Sequence, residues 1–153
     1  MASKWELLLP RRSIMPRVVV LGCVFCAGPG SMTMACPPAG AGWYSAAQAM
    51  SGKTVFDTHC AACHEATLTG GAGPPLTGPQ FVAWLQFTKI TGAELFSFIS
   101  TQMPYDAPGS LTQDDYAETF AYILEVNHYP AGSAPLNEGA LACVQMLPYP
   151  KQN

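Results

Sequence analysis

Cys60-Ala61-Ala62-Cys63-His64 is the stretch on which the reading of this 153-residue chain turns. Two thiols sit three residues apart, with an imidazole immediately after the second. On a helix, residues three apart share a face, so both sulfurs can reach one edge of a flat ring while His64 turns inward. The pattern is the attachment signature of a c-type haem: the thiols add across the two vinyl groups, and the histidine ligates the iron. A redox dithiol and half of a zinc site use the same Cys-x-x-Cys spacing. The rest of the chain has to decide among these three chemistries.

Length and composition favour one domain. Hydrophobic residues make up 49% of the chain and charged residues only 11%, where an ordinary soluble domain carries about 25% charged. The charge is uneven. Lys4, Arg11, Arg12 and Arg17 crowd the start, whereas from Met50 onward nine acids face three bases, for a net −6. Haem propionates would add to that. Such a body repels nucleic acid and anionic lipid, and a protein partner with a basic patch suits it better.

Residues 1–49 read as an export leader. Arg11, Arg12 and Arg17 precede the apolar run from Val18 to Ala27, and Gly28-Pro29-Gly30 ends it. The run is shorter than the roughly 20 apolar residues that a bilayer span needs. Ala47-Gln48-Ala49 fits the small-residue cleavage rule, so a mature body of residues 50–153 is expected. Met15 is an alternative start. Val20-Leu21-Gly22-Cys23 resembles a lipoprotein site only loosely, because Leu21 is bulky for it, and lipid anchoring is not expected. Export implies the periplasm, the compartment in which bacterial haem attachment takes place. Cys23-Val24-Phe25-Cys26 repeats the spacing, but Ala27 follows where a histidine is needed. Cys143, alone near the end, reads as a buried, inert thiol.

The body reads as helices and loops. A first helix is expected from Ser51, as N-cap, to His64, with Gly52, Phe56 and Cys60 on one stripe. Glycine costs a helix about 1 kcal/mol relative to alanine, which close approach by another helix at Gly52 would offset. Leu68 to Pro79 is dense in helix breakers and reads as a loop wrapping the histidine side. A ligating imidazole normally donates its other N–H to a carbonyl, and the carbonyl of Pro74 or Pro75 is the candidate acceptor. Phe81 to Ile90 forms an apolar cluster in which Trp84 is either core or a haem contact. Thr91 and Glu94 spell a capping box for a helix with Leu95, Phe98 and Ile99 as its buried stripe. That helix ends before Pro104.

Met103 closes it, at the head of a proline-bounded loop, where a thioether can serve as a sixth iron ligand. Met146 is a rival, and His59 with His128 would be a bis-histidine alternative. Thr112 and Asp115 cap the last helix, with Tyr116, Phe120, Ile123 and Leu124 on one face. Asn127 and Pro130-Ala131-Gly132 stop it, and an irregular tail follows.

Gly52-x-x-x-Phe56-x-x-x-Cys60-x-x-Cys63-His64, the proline loop, Met103 and Ala121-Tyr122-Ile123 together resemble the class I cytochromes c. The resemblance covers the chain from about Ser51 to its end. It implies an all-α fold of helices and loops wrapped around one covalent haem c, with Cys60 and Cys63 as anchors and His64 and Met103 on the iron. Pro75 and Trp84 would line the haem pocket. It also implies that the first and last helices cross at the glycine, with Phe56 and Tyr122 beside it. Gly70-Gly71, Pro74-Pro75-Leu76, Pro108-Gly109-Ser110-Leu111 and Asn127-His128-Tyr129-Pro130-Ala131-Gly132 are most similar to the cytochromes of PQQ-dependent alcohol dehydrogenases. Glu65 departs from the pattern, since many relatives have glycine there.

The expectation is an electron carrier rather than an enzyme. It would run from a quinoprotein dehydrogenase towards a terminal oxidase or another cytochrome, with no membrane span in the mature form. The alternative is a haem-based sensor or small redox enzyme with an open iron site.

Overall fold

A computed structural model describes Cys36 and residues 41–151. In chain order the elements are β1 (Tyr44–Ser45), α1 (Ala46–His59), α2 (Ala61–His64), α3 (Gly78–Thr88), α4 (Gly92–Gln102), α5 (Gln113–Val126), β2 (Ala131–Gly132) and α6 (Glu138–Leu141). The all-α expectation holds, with one two-residue parallel pairing added, Tyr44 against Ala131 and Ser45 against Gly132. The stretch Pro130-Ala131-Gly132, expected as a turn, supplies that second strand.

The first helix differs from expectation at both ends. It starts at Ala46, capped by Ser45, whose hydroxyl accepts from the Gln48 amide; Ser51 lies exposed within the helix. It stops at His59 because Cys60 leaves helical geometry at φ −122°, and α2 restarts the chain through the motif. The boundary expected after Ala49 therefore falls inside α1. Ala49 is fully buried, the buried Tyr44 hydroxyl donates to the Tyr129 carbonyl, and Gln48 both donates to and accepts from the Leu136 backbone. Residues 41–49 are thus part of the folded body. The rest of the leader, with Met15, Cys23 and Cys26, lies outside the described residues.

The crossing of α1 and α5 organises the core. A Cβ on Gly52 would stand 1.8 Å from the Glu118 carbonyl oxygen, so only hydrogen fits where the two backbones meet. Phe56 packs its ring against Tyr122 edge to face at 5.5 Å, a geometry favoured by the ring quadrupoles. Both cap motifs form as expected: Thr91 with Glu94 on α4, and Thr112 with Asp115 on α5. On α4 the buried stripe is Leu95 and Phe96, while Phe98 is half exposed. Phe96 turns inward to face Phe120 of α5.

The tail is more than a wrapping. Leu136, Leu141, Val144 and Met146 enter the same apolar core as Tyr44, Ala49, Leu95 and Phe120. The inert thiol expected at Cys143 is corrected: Cys143 is disulfide-bonded to Cys36, 107 residues away in sequence. The partner could not be read from spacing, because it lies in the stretch taken for leader. Among the described residues no helix is long and apolar enough to cross a membrane.

Candidate functional site

The motif sits where α1 breaks and α2 begins. Cys60 and Cys63 are both free thiols; Cys60 is half buried and Cys63 exposed. Burial, with a smaller contribution from the neighbouring Cys63, pushes the Cys60 thiol up to about 11. Redox dithiols work in the opposite direction, through a lowered pKa that provides a thiolate near neutral pH. Zinc needs more ligands than this pair offers. Among the described residues no three His, Cys, Asp or Glu side chains converge on a metal site.

His64 is buried, and its Nδ1 lies 2.7 Å from the Pro74 carbonyl oxygen. A carbonyl can only accept, so Nδ1 carries the proton. The lone pair is then left on Nε2, the form in which imidazole binds a metal. Of the two expected acceptors, Pro74 makes the bond and Pro75 does not. The loop is folded back to reach this position: the Gly73 amide donates to the Cys63 carbonyl at 2.8 Å, Gly70 to His64 at 3.1 Å and Leu76 to Leu68 at 2.8 Å. Gly73 lies flat on the imidazole, where a Cβ would come within 2.9 Å of the ring. Glu65, where a glycine is common in the resembling family, has φ 64° and ψ 148°, a region that side chains avoid.

Met103 is half buried at the C-terminus of α4. Its carbonyl accepts from the Tyr116 hydroxyl at 2.6 Å and from the Gly109 amide at 3.2 Å, so α5 and the following loop both hold its backbone. Ile99, the turn before it, packs against the apolar cluster of Phe56, Leu68, Tyr122 and Ile123, as do Cys60 and Ala61. The thiol motif and the helix leading to Met103 therefore share one apolar wall. The rivals are placed elsewhere. Met146 is fully buried in the tail side of the core, and His59 and His128 are exposed. Trp84 stacks on Phe81 at 6.0 Å with 40% of its surface exposed, and no hydrogen bond ties it to His64.

Asn127 was legible only as a helix stop, and it does more. Fully buried, it donates to the Leu76 carbonyl at 2.8 Å and to Ile123 at 2.7 Å, and it accepts from the Tyr149 hydroxyl. One amide thus ties the histidine loop, the end of α5 and the tail together. Nothing in its sequence neighbourhood signals that.

A neutral imidazole with a free Nε2, beside two unengaged thiols and an apolar wall, suits a covalently held haem. The family model described as cytochrome c oxidase, cbb3-type, subunit III matches residues 47–123, from the first turn of α1 into α5. No curated protein sequence matches the chain. With half of its length matched, and the cysteine motif inside the match, the chain belongs to this cytochrome c family: it binds haem c covalently and carries electrons on the haem iron.

Proposed function

We propose that this protein is an exported, periplasmic one-electron carrier with a closed iron site. Cys60 and Cys63 form the two thioethers, and His64 and Met103 take the two axial positions. The haem supplies the redox couple, and a His/Met ligand pair raises its potential relative to other ligand sets. The chain's own part is to hold the ligands still and keep the site apolar. The Pro74 carbonyl fixes the tautomer and angle of His64. Tyr116 and Gly109 hold the Met103 backbone. Phe56, Leu68, Tyr122 and Ile123 exclude water on one side. The observation that carries the reading is the His64–Pro74 hydrogen bond, which prepares a metal-binding imidazole next to the two thiols.

Both partners are redox proteins. The donor side is assigned to a PQQ-dependent alcohol dehydrogenase on the strength of the sequence resemblance, and the acceptor to a terminal oxidase or another cytochrome. The excess of acids from Met50 onward supports partners with basic docking faces. The Asn127–Gly132 stretch, part of that resemblance, serves internal packing here, so the donor is best identified by co-purification.

The decisive measurement uses the haem-loaded protein. An alkaline pyridine spectrum should report covalent haem, and the reduced protein should resist CO. Met103→Ala is expected to lower the midpoint potential and admit CO. Unchanged potential and CO resistance in that variant would remove Met103 from the role, and rapid stoichiometric CO binding by the unaltered protein would favour the sensor or enzyme reading.

A further inference from the structure

We infer that the leader is removed at the Ala35–Cys36 bond, so that the mature protein begins with Cys36 and keeps residues 36–49. Three observations meet at this position. First, Cys36 and residues 41–49 are built into the body. Cys36 is joined to Cys143, Tyr44 and Ala49 are buried, Ser45 caps α1, and Trp43 donates its amide to the Pro130 carbonyl at 2.9 Å. A cut after Ala49 would remove the disulfide, the β1–β2 pairing and the first turn of α1 together.

Second, the cysteines balance. A chain starting at Cys36 has four, and each is accounted for: Cys36 and Cys143 by their disulfide, Cys60 and Cys63 by the two proposed thioethers to the haem. A cut upstream of Cys23 would carry two further thiols into an oxidising compartment, where unpaired thiols are liable to mispair. Third, the local sequence suits a signal peptidase. Arg17, the apolar run Val18 to Ala27 and the Gly28-Pro29-Gly30 break are followed by Thr33-Met34-Ala35, with small residues one and three positions before the cut. Hydrolysis consumes one water, leaving a carboxylate on Ala35 and a free amine on Cys36. The Cys36 sulfur is already committed to Cys143, so it cannot carry a lipid thioether.

The test uses the full chain, produced with its leader in a host that exports and matures c-type cytochromes. N-terminal sequencing and intact mass are expected to give Cys36 as the first residue. Peptide mapping should give a Cys36–Cys143 pair that separates on reduction. Any other N-terminus, including Met50, one that retains Cys26, or a lipidated cysteine, overturns the inference. Ala35→Leu is expected to accumulate the unprocessed chain, whereas Ala47→Leu, on an exposed face of α1, should be processed normally; the reverse result overturns it too. Haem absorbance, read on the same samples, reports the proposed function separately.

Discussion

The two cysteine pairs show two different ways of building this molecule. Cys60 and Cys63 are three residues apart on one short helical stretch, and the His64–Pro74 hydrogen bond beside them closes within ten residues. Cys36 and Cys143 are separated by 107 residues, and their link exists only once the tail has folded beside α4 and α5. The haem side is a local motif resting on a helix crossing. The terminal side is a staple between distant segments. The first is legible as chemistry in the sequence; the second is not, because its two cysteines lie 107 residues apart.

Breaking the staple should have the largest effect on stability. A disulfide that closes a loop of about 100 residues restricts the unfolded chain by about 4 kcal/mol. Replacing both cysteines, Cys36→Ser with Cys143→Ser, is expected to lower the unfolding free energy by about that amount in denaturant titrations. The haem spectrum and midpoint potential should stay as they are. A shifted potential would mean that the two sides are not separable.

Breaking the crossing comes next. Gly52→Ala gains about 1 kcal/mol of helix propensity. It also forces a Cβ to within 1.8 Å of the Glu118 carbonyl oxygen, and overpacking of that kind costs about 3 kcal/mol. The clash wins, for a net loss of about 2 kcal/mol, measurable by thermal or chemical unfolding. Because Phe56 and Tyr122 flank the crossing, this variant, unlike the double serine, should also perturb the haem spectrum.

Sharpening the haem side calls for a gain rather than a loss. Glu65 holds a backbone conformation at φ 64° and ψ 148° that costs a side-chain-bearing residue about 2 kcal/mol. Glycine adopts it freely but surrenders about 1 kcal/mol through its looser unfolded state. Glu65→Gly is therefore expected to stabilise the protein by about 1 kcal/mol, and a loss in denaturant titration would sink the strain argument.

The smallest effect belongs to the terminal side. Burial, aided by Glu125, pushes the Tyr44 phenol from 10.0 up to about 12. The unfolded phenol then loses its proton first as pH rises, so this contribution is intact below pH 10 and is lost between about 10 and 12. Tyr44→Phe removes the hydrogen bond to Tyr129, costing about 1 kcal/mol at neutral pH. The gap between the two proteins should close over that alkaline window. A gap that stays constant to pH 12 would contradict the assignment.

Much of the haem side could be read before any coordinates. Caps at Thr91 and Thr112 depend on residues three positions apart. The approach at Gly52 followed from a glycine where a helix would otherwise exclude it. The His64 loop was marked by prolines, although the choice of Pro74 over Pro75 required its actual path. Small-residue patterning does not locate where the folded body starts. Ala47-Gln48-Ala49 satisfies a cleavage rule that looks only at residue size. The same small residues are what a helix needs in order to pack Ala49 against α5, and composition cannot tell the two uses apart. Phe98 and Phe96 were exchanged in the same way, since two phenylalanines two positions apart differ only in which way the helix is turned.

By itself, the sequence determined the cofactor chemistry, the helical architecture and the caps at Thr91 and Thr112, because each depends on residues within a few positions of one another. Only the tertiary structure decided the partner of Cys143, the triple role of Asn127 and the packing of residues 41–49 into the body. The decisive contacts span 51 residues between Asn127 and Leu76, 85 between Tyr44 and Tyr129, 88 between Gln48 and Leu136, and 107 at the disulfide. Their loop-closure cost is met only when the whole core forms, so no local pattern announces them.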